Sequence, residues 1–402
     1  MKSDKSTPNV PTLRFAEYTD EWHKFALSDF VTRITRRNKN NESSLPLTIS
    51  AQYGLVDQIT FFNKTVASVD LSGYYLLYNG DFAYNKSYSN DYAWGAVKRL
   101  DKYEKGCLSS LYFVFRPKDS VDSDYLTHYF ETKKWHKGIS DIAGEGARNH
   151  GLLNMAVDDY FATKHFLPAI DEQKKIAAFL NKIEKRIDIQ NKIIEDLKIL
   201  KKELCSKLFN SMLCDSEIQI SQIANVYGGY AFSSKTYVDN GKYKIVTIGN
   251  VTGDKFISGN LNTIDELPNN IQMQQMLNDG DILISLTGNV GRISIVRGED
   301  YLLNQRVAKL NIKDKWMKEF IYQYLSSSSF EKDMCNAGQG AAQKNIKNED
   351  ILSYRIHIPS NKNVLEKIAI FLIAYDKKIN NEELILLQLQ TQKSYFLNAM
   401  FI

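Results

Sequence analysis

The sequence predicts an α+β chain: two similar mixed α/β domains separated by an antiparallel pair of long coiled-coil helices, related by a pseudo-twofold internal repeat. Three observations predict it. Residues 175 to 180 read KIAAFL and, 192 positions later, residues 367 to 372 read KIAIFL. One apolar seam runs Ile176, Leu180, Ile183, Ile187, Ile194, Leu197, Leu204, Leu208, and a second runs Ile368, Leu372, Tyr375, Ile379, Leu386, Leu389, Phe396, Met400 at the same offset throughout. The polar interruptions coincide as well, Gln190 and Lys201 with Glu382 and Lys393.

The first domain is placed at residues 1–167, where short β-rich runs alternate with turns. The first spacer helix follows at 168–212, led by Pro168 with Asp171 as its expected cap. Its seam steps by alternating four and three residues over about five heptads, which gives a helix of about 50 Å at ~1.5 Å per residue. The second domain is placed at 213–358, and the second helix at 359–402, after Pro359 with Ser360 or Asn361 as cap. Each helix can bury the other. The alternative, that each is a core helix of its own domain, sits poorly with about ten turns where ordinary globular helices have three or four.

The domains echo each other too. Trp22 to Phe30 resembles Glu217 to Ile223, Leu47-Thr48-Ile49-Ser50 resembles Val246-Thr247-Ile248-Gly249, and Asn79-Gly80-Asp81 resembles Asp279-Gly280-Asp281. Ala143 to Ala147 (AGEGA) parallels Ala337 to Ala341 (AGQGA) shortly before each helix. The order of matches is the same in both halves and the residues between them differ, so the scaffold is duplicated and its loops have diverged. Recognition of two different ligands of one chemical class leaves that pattern, because binding residues sit on loops over a rigid frame.

Composition narrows the class. A chain of 402 residues with 43% hydrophobic and 24% charged residues has enough apolar material for two or three cores. The net charge of +4 permits nucleic acid without requiring it. Cys107, Cys205, Cys214 and Cys335 have neither zinc nor disulfide spacing, which fits reduced thiols in a cytoplasmic protein. No signal-peptide core and no apolar run of membrane-spanning length occur. Phosphate-loop, HExxH, GxSxG, EF-hand and GxGxxG motifs are absent, the six histidines lack ligand spacing, and no aromatic tetrapeptide of the amino-methyltransferase kind is present. The expectation is a non-catalytic chain with no metal and no bound cofactor.

With these features in place, the chain resembles the specificity subunits of type I restriction-modification systems over nearly its whole length. The features that carry the resemblance are DEQKKIAAFL after Pro168 and its echo KIAIFL, the helix ends at Phe209 and Phe401, Gly80-Asp81 and Gly280-Asp281, the glycine-rich loops, and the lead-in Pro11-Thr12-Leu13-Arg14-Phe15. The second half lacks a clear copy of that lead-in, with Cys214-Asp215 near its expected place. The resemblance implies two target recognition domains, each reading one half of a bipartite double-stranded DNA target, with the helices fixing the spacer. It also implies docking of two adenine methyltransferase subunits that use S-adenosylmethionine. Restriction and translocase subunits using ATP and magnesium are an optional addition.

Duplex recognition needs cations for phosphates and amide or guanidinium groups for base edges. Candidates in the first half are the basic cluster Arg33, Arg36, Arg37 and Lys39, then Ser50, Gln52 and Tyr53, then Lys86 and Tyr88. The matching turn of the second half offers Thr287, Asn289 and Arg292. The glycine-rich loops add Arg148, Asn149 and His150, and Gln339, Gln343 and Lys344; Gln305 and Arg306 complete the set. Blander readings stand beside these: a solvated charge run for the cluster, plain turn formation, a hinge before each helix, and a strand-end role for Gln305 and Arg306. A second functional class is a two-module interaction protein, joined by a coiled coil and binding protein or glycan ligands.

Overall fold

The computed structural model describes residues 9–64, 66–87, 92–143, 148–149 (backbone alone), 152–211, 213–253, 255–338 and 345–402. Two compact units are formed, residues 1–190 with 385–402, and residues 191–384. The long helices run Ile170–Phe209 and Lys362–Ala399, so each unit takes half of both helices instead of leaving them as separate spacers.

In the first unit an antiparallel sheet is ordered Val31–Arg33, Phe113–Pro117, Phe82–Asn85, Ala96–Arg99. His23–Ala26 pairs with Lys164–Leu167 beside it. The core is aromatic: Phe82, Tyr84, Phe115, Tyr125, Tyr129, Phe130, Trp135 and Tyr160 are all buried, and Tyr84 stacks on Tyr160 at 4.7 Å. Ile176, Leu180 and Ile183 of the first long helix close this core together with Met400 and Phe401. Phe179 meets Phe396 edge-on at 4.9 Å. The lead-in segment is tied to both helices, since the Leu13 amide donates to Ala399 O at 2.9 Å and the Arg14 guanidinium forks onto Glu172 at 2.7 Å.

In the second unit a four-stranded antiparallel sheet has the same order: Ala224–Gly228, Val307–Ile312, Ile282–Ser285, Ile293–Ile295. Ser216–Gln219 pairs with Arg355–Ile358 as His23–Ala26 does with Lys164–Leu167. Its core is aliphatic with fewer rings, built on Ile282, Ile284, Phe320, Phe330, Leu365 and Leu372, and Phe209 packs on Phe320 at 5.6 Å. A further sheet, Asn262–Ile264, Tyr243–Val246, Tyr301–Leu303, Met276–Leu277, contains the one parallel strand pair among the described ladders.

Two expectations from sequence need correction here. Leu47–Ser50 is a strand paired with Gly54–Asp57, whereas its counterpart ends at Val246 and turns through Ile248–Asn250, because the Asn250 side chain accepts from the Thr247 amide at 2.8 Å. Asp171 lies inside the first turn of its helix, with Ala169 O accepting the first helical bond, from Gln173, at 3.0 Å. On the second helix it is Asn361 that caps, accepting from the Asn363 amide at 2.9 Å, while Ser360 bonds Asp215.

All sixteen seam positions are buried or half-buried. Halfway along each unit's share of the seam the apolar contact gives way to charge. In the first unit Lys393 bridges Glu184 at 2.6 Å and Glu131 at 2.8 Å. In the second, Asp376 joins Lys201 at 2.5 Å and accepts from Gln323 Nε2 at 2.5 Å. Each member of one trio stands 192 residues from its counterpart in the other. Burial pushes the Glu131 carboxyl up, yet Lys393 and Lys98 outweigh it and hold the group below its ordinary range. His128 Nδ1 or Nε2, Glu131 and Glu184 bring potential metal-ligand atoms within 4.8 Å of one another, and the Lys393 ammonium already supplies the cation for the two carboxylates.

The glycine–aspartate turn is the second duplicated device. Gly80 and Gly280 have φ of 86° and 83°, where a Cβ would be strained. Each following aspartate accepts from the amide three residues back, Tyr78 or Asn278, at 2.8 Å. Asp81 is fully buried and holds Arg116 at 2.6 Å and Arg36 at 2.8 Å, whereas Asp281 holds Lys309 at 2.6 Å. Asp81→Asn is expected to cost the first unit about 3 kcal/mol, since two guanidinium groups lose a buried counter-charge. Asp281→Asn should cost less, its carboxylate being 18% exposed, and urea unfolding followed unit by unit decides.

Thr163 Oγ1 donates to Tyr160 O at 2.7 Å, so it accepts from His165 Nε2 at 2.8 Å, and the Tyr129 hydroxyl then donates to His165 Nδ1 at 2.8 Å. Burial of this neutral, fully bonded ring pushes its pKa down to about 4. Below the unfolded value of about 6.5 the unfolded chain binds a proton that the native ring does not. Stability is therefore complete above that pH and lost as pH falls toward the folded value, by about 2 kcal/mol between pH 7 and pH 5. Denaturant titrations at both pH values should show this loss, and His165→Gln should flatten it.

Candidate nucleic-acid interface

The candidate contact residues fall in three places. The basic cluster follows the edge strand Val31–Arg33 and is partly committed to structure. Arg36 donates to Leu76 O at 3.0 Å, bonds Asp81 and lies 4.3 Å over the Tyr78 ring. Arg37 donates to Gly73 O at 2.7 Å and lies 4.3 Å over Tyr75. Arg33 and Lys39 are exposed, and no described residue forms an ion pair with either.

Ser50 is buried at the hairpin end, where its hydroxyl accepts from the Tyr53 amide at 3.2 Å; Gln52 and Tyr53 project from the turn itself. Tyr53 is 60% exposed and meets Phe61 at 6.5 Å, and Phe61 meets Phe62 at 5.0 Å. The rings of Phe61 and Phe62, both more than a third exposed, extend this patch beyond the residues read from the sequence.

The third place is where separate candidates converge. Leu153 N donates to Lys86 O at 3.0 Å, and Leu153 belongs to a hairpin, Arg148–Asn149 with Leu152–Leu153, whose first strand falls in the last residues of the first glycine-rich stretch. In the second unit Ile346 N donates to Leu286 O at 2.9 Å, just past the second such loop. The turn after each glycine–aspartate strand and the chain leaving each glycine-rich loop are thus hydrogen-bonded neighbours in both units. Their register makes Lys86 the counterpart of Leu286, one residue from the pairing suggested by sequence alone.

Within the second turn Thr287 is bridged to Asn345, Asn289 is exposed, and Arg292 Nε donates to Glu331 at 3.1 Å. Arg292 also lines a cavity of about 560 Å³ with Lys198, Lys202 and Lys255. Gln305 and Arg306 are exposed between Asn304 and the strand Val307–Ile312. Tyr88, His150, Gln339, Gln343 and Lys344 lie outside the described residues, as do the side chains of Arg148 and Asn149.

Sequence reasoning missed Arg116 and Lys309. Each is the lone cation of its strand. The repeated aspartate at 81 and 281 was the available signal, since a carboxylate drawn in where a turn enters a sheet calls for a cation.

Chemically, these surfaces offer guanidinium and ammonium groups, amides and hydroxyls on turns held by a rigid sheet. Among the described residues they bring together no nucleophile and base, and no helix there is long and apolar enough to cross a membrane.

Comparison with known proteins agrees with this construction. The family model for the type I restriction modification DNA specificity domain matches residues 216–391. The specificity subunit of the type I restriction enzyme MjaVIII of Methanocaldococcus jannaschii is 25% identical over 280 residues, covering 64% of this chain and 64% of that protein. The chain therefore spans somewhat under two thirds of the length of that relative. Among solved structures, the S subunit of a type I restriction-modification system from M. genitalium superposes with a TM-score of 0.52 at 16% identity, covering 98% of this chain and 99% of that one. A chain from a structure describing complex assembly and conformational transition of the type I R-M system gives a TM-score of 0.57 at 14% identity, over 94% and 96%. These two likenesses speak for the fold, which is the duplicated one found here. Residues 216–391 thus carry the signature of the type I restriction modification DNA specificity domain, and the chain is similar to type I restriction enzyme specificity subunits.

Proposed function

We propose that the chain is the DNA sequence-specificity subunit of a type I restriction-modification complex. Each unit reads one half of a bipartite duplex target, and the two long helices act as the ruler that sets the undefined gap between the halves. The chain performs no chemistry itself. Two methyltransferase subunits bring S-adenosylmethionine and modify adenine, and restriction subunits, where present, use ATP and magnesium.

The observation that carries this reading is the pairing of an unchanged frame with changed contact turns. Sheet order, glycine–aspartate turn and seam trio recur in both units. Over that frame, Lys86-Ser87 stands where Leu286-Thr287 stands, and the five residues that follow differ at every position, 88–92 reading YSNDY and 288–292 reading GNVGR. A protein that must read two unlike words of one polymer needs a constant backbone-positioning frame and variable base-reading groups.

Mapping of methylated adenines in DNA from cells carrying this chain with its methyltransferase tests the reading. Two short defined blocks around an undefined gap are expected. Inserting four residues near Gln190 should lengthen the first helix by about 6 Å. That corresponds to roughly two base pairs at ~3.4 Å per step. The gap should then grow while both blocks keep their sequences; an unchanged gap, or one contiguous motif, would refute the ruler. Loss of salt-sensitive duplex binding in the whole complex would instead favour a module for protein or glycan ligands.

A further inference from the structure

The two glycine–aspartate turns form an internal comparison. Each sheet needs a cation beside the aspartate that closes the turn, and the second unit meets that need with a single lysine, Lys309, whose side chain is 10% exposed. The first unit uses two arginines for one carboxylate. Arg116 Nε donates to Asp81 Oδ1 and Arg36 Nη2 to Asp81 Oδ2, and the side chains are 45% and 37% exposed. One positive charge is therefore left over, on groups that reach solvent, where the matched site of the same chain has none.

Both guanidinium groups are fixed before any ligand arrives. Arg116 Nη2 donates to Asn79 O at 3.1 Å, Arg36 Nε donates to Leu76 O at 3.0 Å, and the Arg36 guanidinium carbon lies 4.3 Å from the centre of the Tyr78 ring. The Tyr78 hydroxyl is turned to Glu42, donating at 3.1 Å, so the ring face stays available to the cation. No described residue bonds Nη1 of either arginine, and each Nη1 carries two N–H donors. A planar fork whose orientation is already set loses little entropy on binding, and two forks on one carboxylate suit an oxyanion with several acceptor oxygens.

We infer that Arg36 and Arg116, held on the buried carboxylate of Asp81, form a preset clamp for a phosphate of the DNA backbone at the half-site read by the first unit. Asp81 is a positioning residue. The inference deepens the proposed function and rests on it. A clamp of this kind adds affinity and register without base preference, and among the described residues the second unit has no counterpart, so the two half-sites are gripped unequally.

The test uses the complete complex with its methyltransferase subunits and a duplex carrying the mapped motif, with affinity measured across a salt series. Arg116→Gln is expected to weaken binding about tenfold, to lower the slope of log affinity against log salt by about one, and to weaken a motif-altered duplex equally. Arg116→Lys copies the lysine solution of the second unit and keeps Asp81 paired, so it covers the case in which the glutamine variant does not fold. It is expected to weaken binding several-fold, because a lysine engaged with Asp81 leaves no fork for the phosphate. A folded Arg116→Gln complex with the wild-type slope, or an Arg116→Lys complex with wild-type affinity, would show that the arginines only neutralise Asp81 and would overturn the clamp. A wild-type complex without any salt-dependent duplex binding would overturn the specificity-subunit reading itself, and the clamp with it.

Discussion

Two amphipathic helices, neither able to bury its own apolar stripe, set the terms for each unit. The stripe recurs every three and four residues, so it wraps one face and calls for a partner of the same period. Each unit supplies that partner from the other helix and then adds a globular layer on top. In the first, Ile176, Leu180 and Ile183 share a core with Tyr125, Tyr129 and Phe401; in the second, Cys205 and Phe209 share one with Phe320, Leu365 and Leu372. The helices are thus core elements of both units as well as connections. Removing either would expose apolar faces of sheet, helix and partner together.

The duplication separates what the frame requires from what each copy has added. Sheet order, the left-handed glycine, the aspartate that closes the turn and the charged trio persist although few side chains between them agree. What the copies do differently is chemically legible against that background. One core stacks Tyr84 on Tyr160 and seats a neutral His165, while the other is filled with isoleucine and leucine. His128, buried and donating to Asn181, stands 192 residues from Phe320, so one copy solves with a hydrogen bond what the other solves with an apolar ring.

Much of the frame was legible in the sequence because it rests on periodicity and on residue types with narrow conformational meaning. Heptad spacing survives any tertiary context, and Gly80-Asp81 and Gly280-Asp281 announce a turn that only glycine enters without strain. The match of Leu47–Ser50 to Val246–Gly249 misled, because β-branched runs report a tendency to extend and say nothing of where a side chain such as Asn250 will end the strand. Helix capping went astray at Asp171 for a similar reason: an aspartate in the first turn serves as well as one at the cap. The candidate site was readable as a set of turns but not as a set of partners. That Arg36 faces a buried carboxylate, and that Arg116 joins it from another strand, depends on strand order, which no local pattern encodes. The convergence of the contact turn with the chain leaving the glycine-rich loop is likewise a product of topology.

The charged trios explain why helices with so regular a seam adopt one register. A seam of repeating leucine and isoleucine tolerates a slide of one heptad, since apolar groups meet apolar groups again. Here Glu184 faces Lys393 and Asp376 faces Lys201. A slide of seven residues would set Lys393 against Ala177 and Glu184 against Leu386, and Lys201 against Ala369 and Asp376 against Ile194. Stripping a partner from a buried ion pair costs about 3–5 kcal/mol, less for half-exposed groups such as these, and the slide strips four groups at once. The pairs therefore contribute little to stability over an apolar seam but count heavily against every alternative register, the best-attested use of polar groups in coiled coils. The ruler proposed above needs such a register, because a slide of one heptad is about 10 Å, or roughly three base pairs.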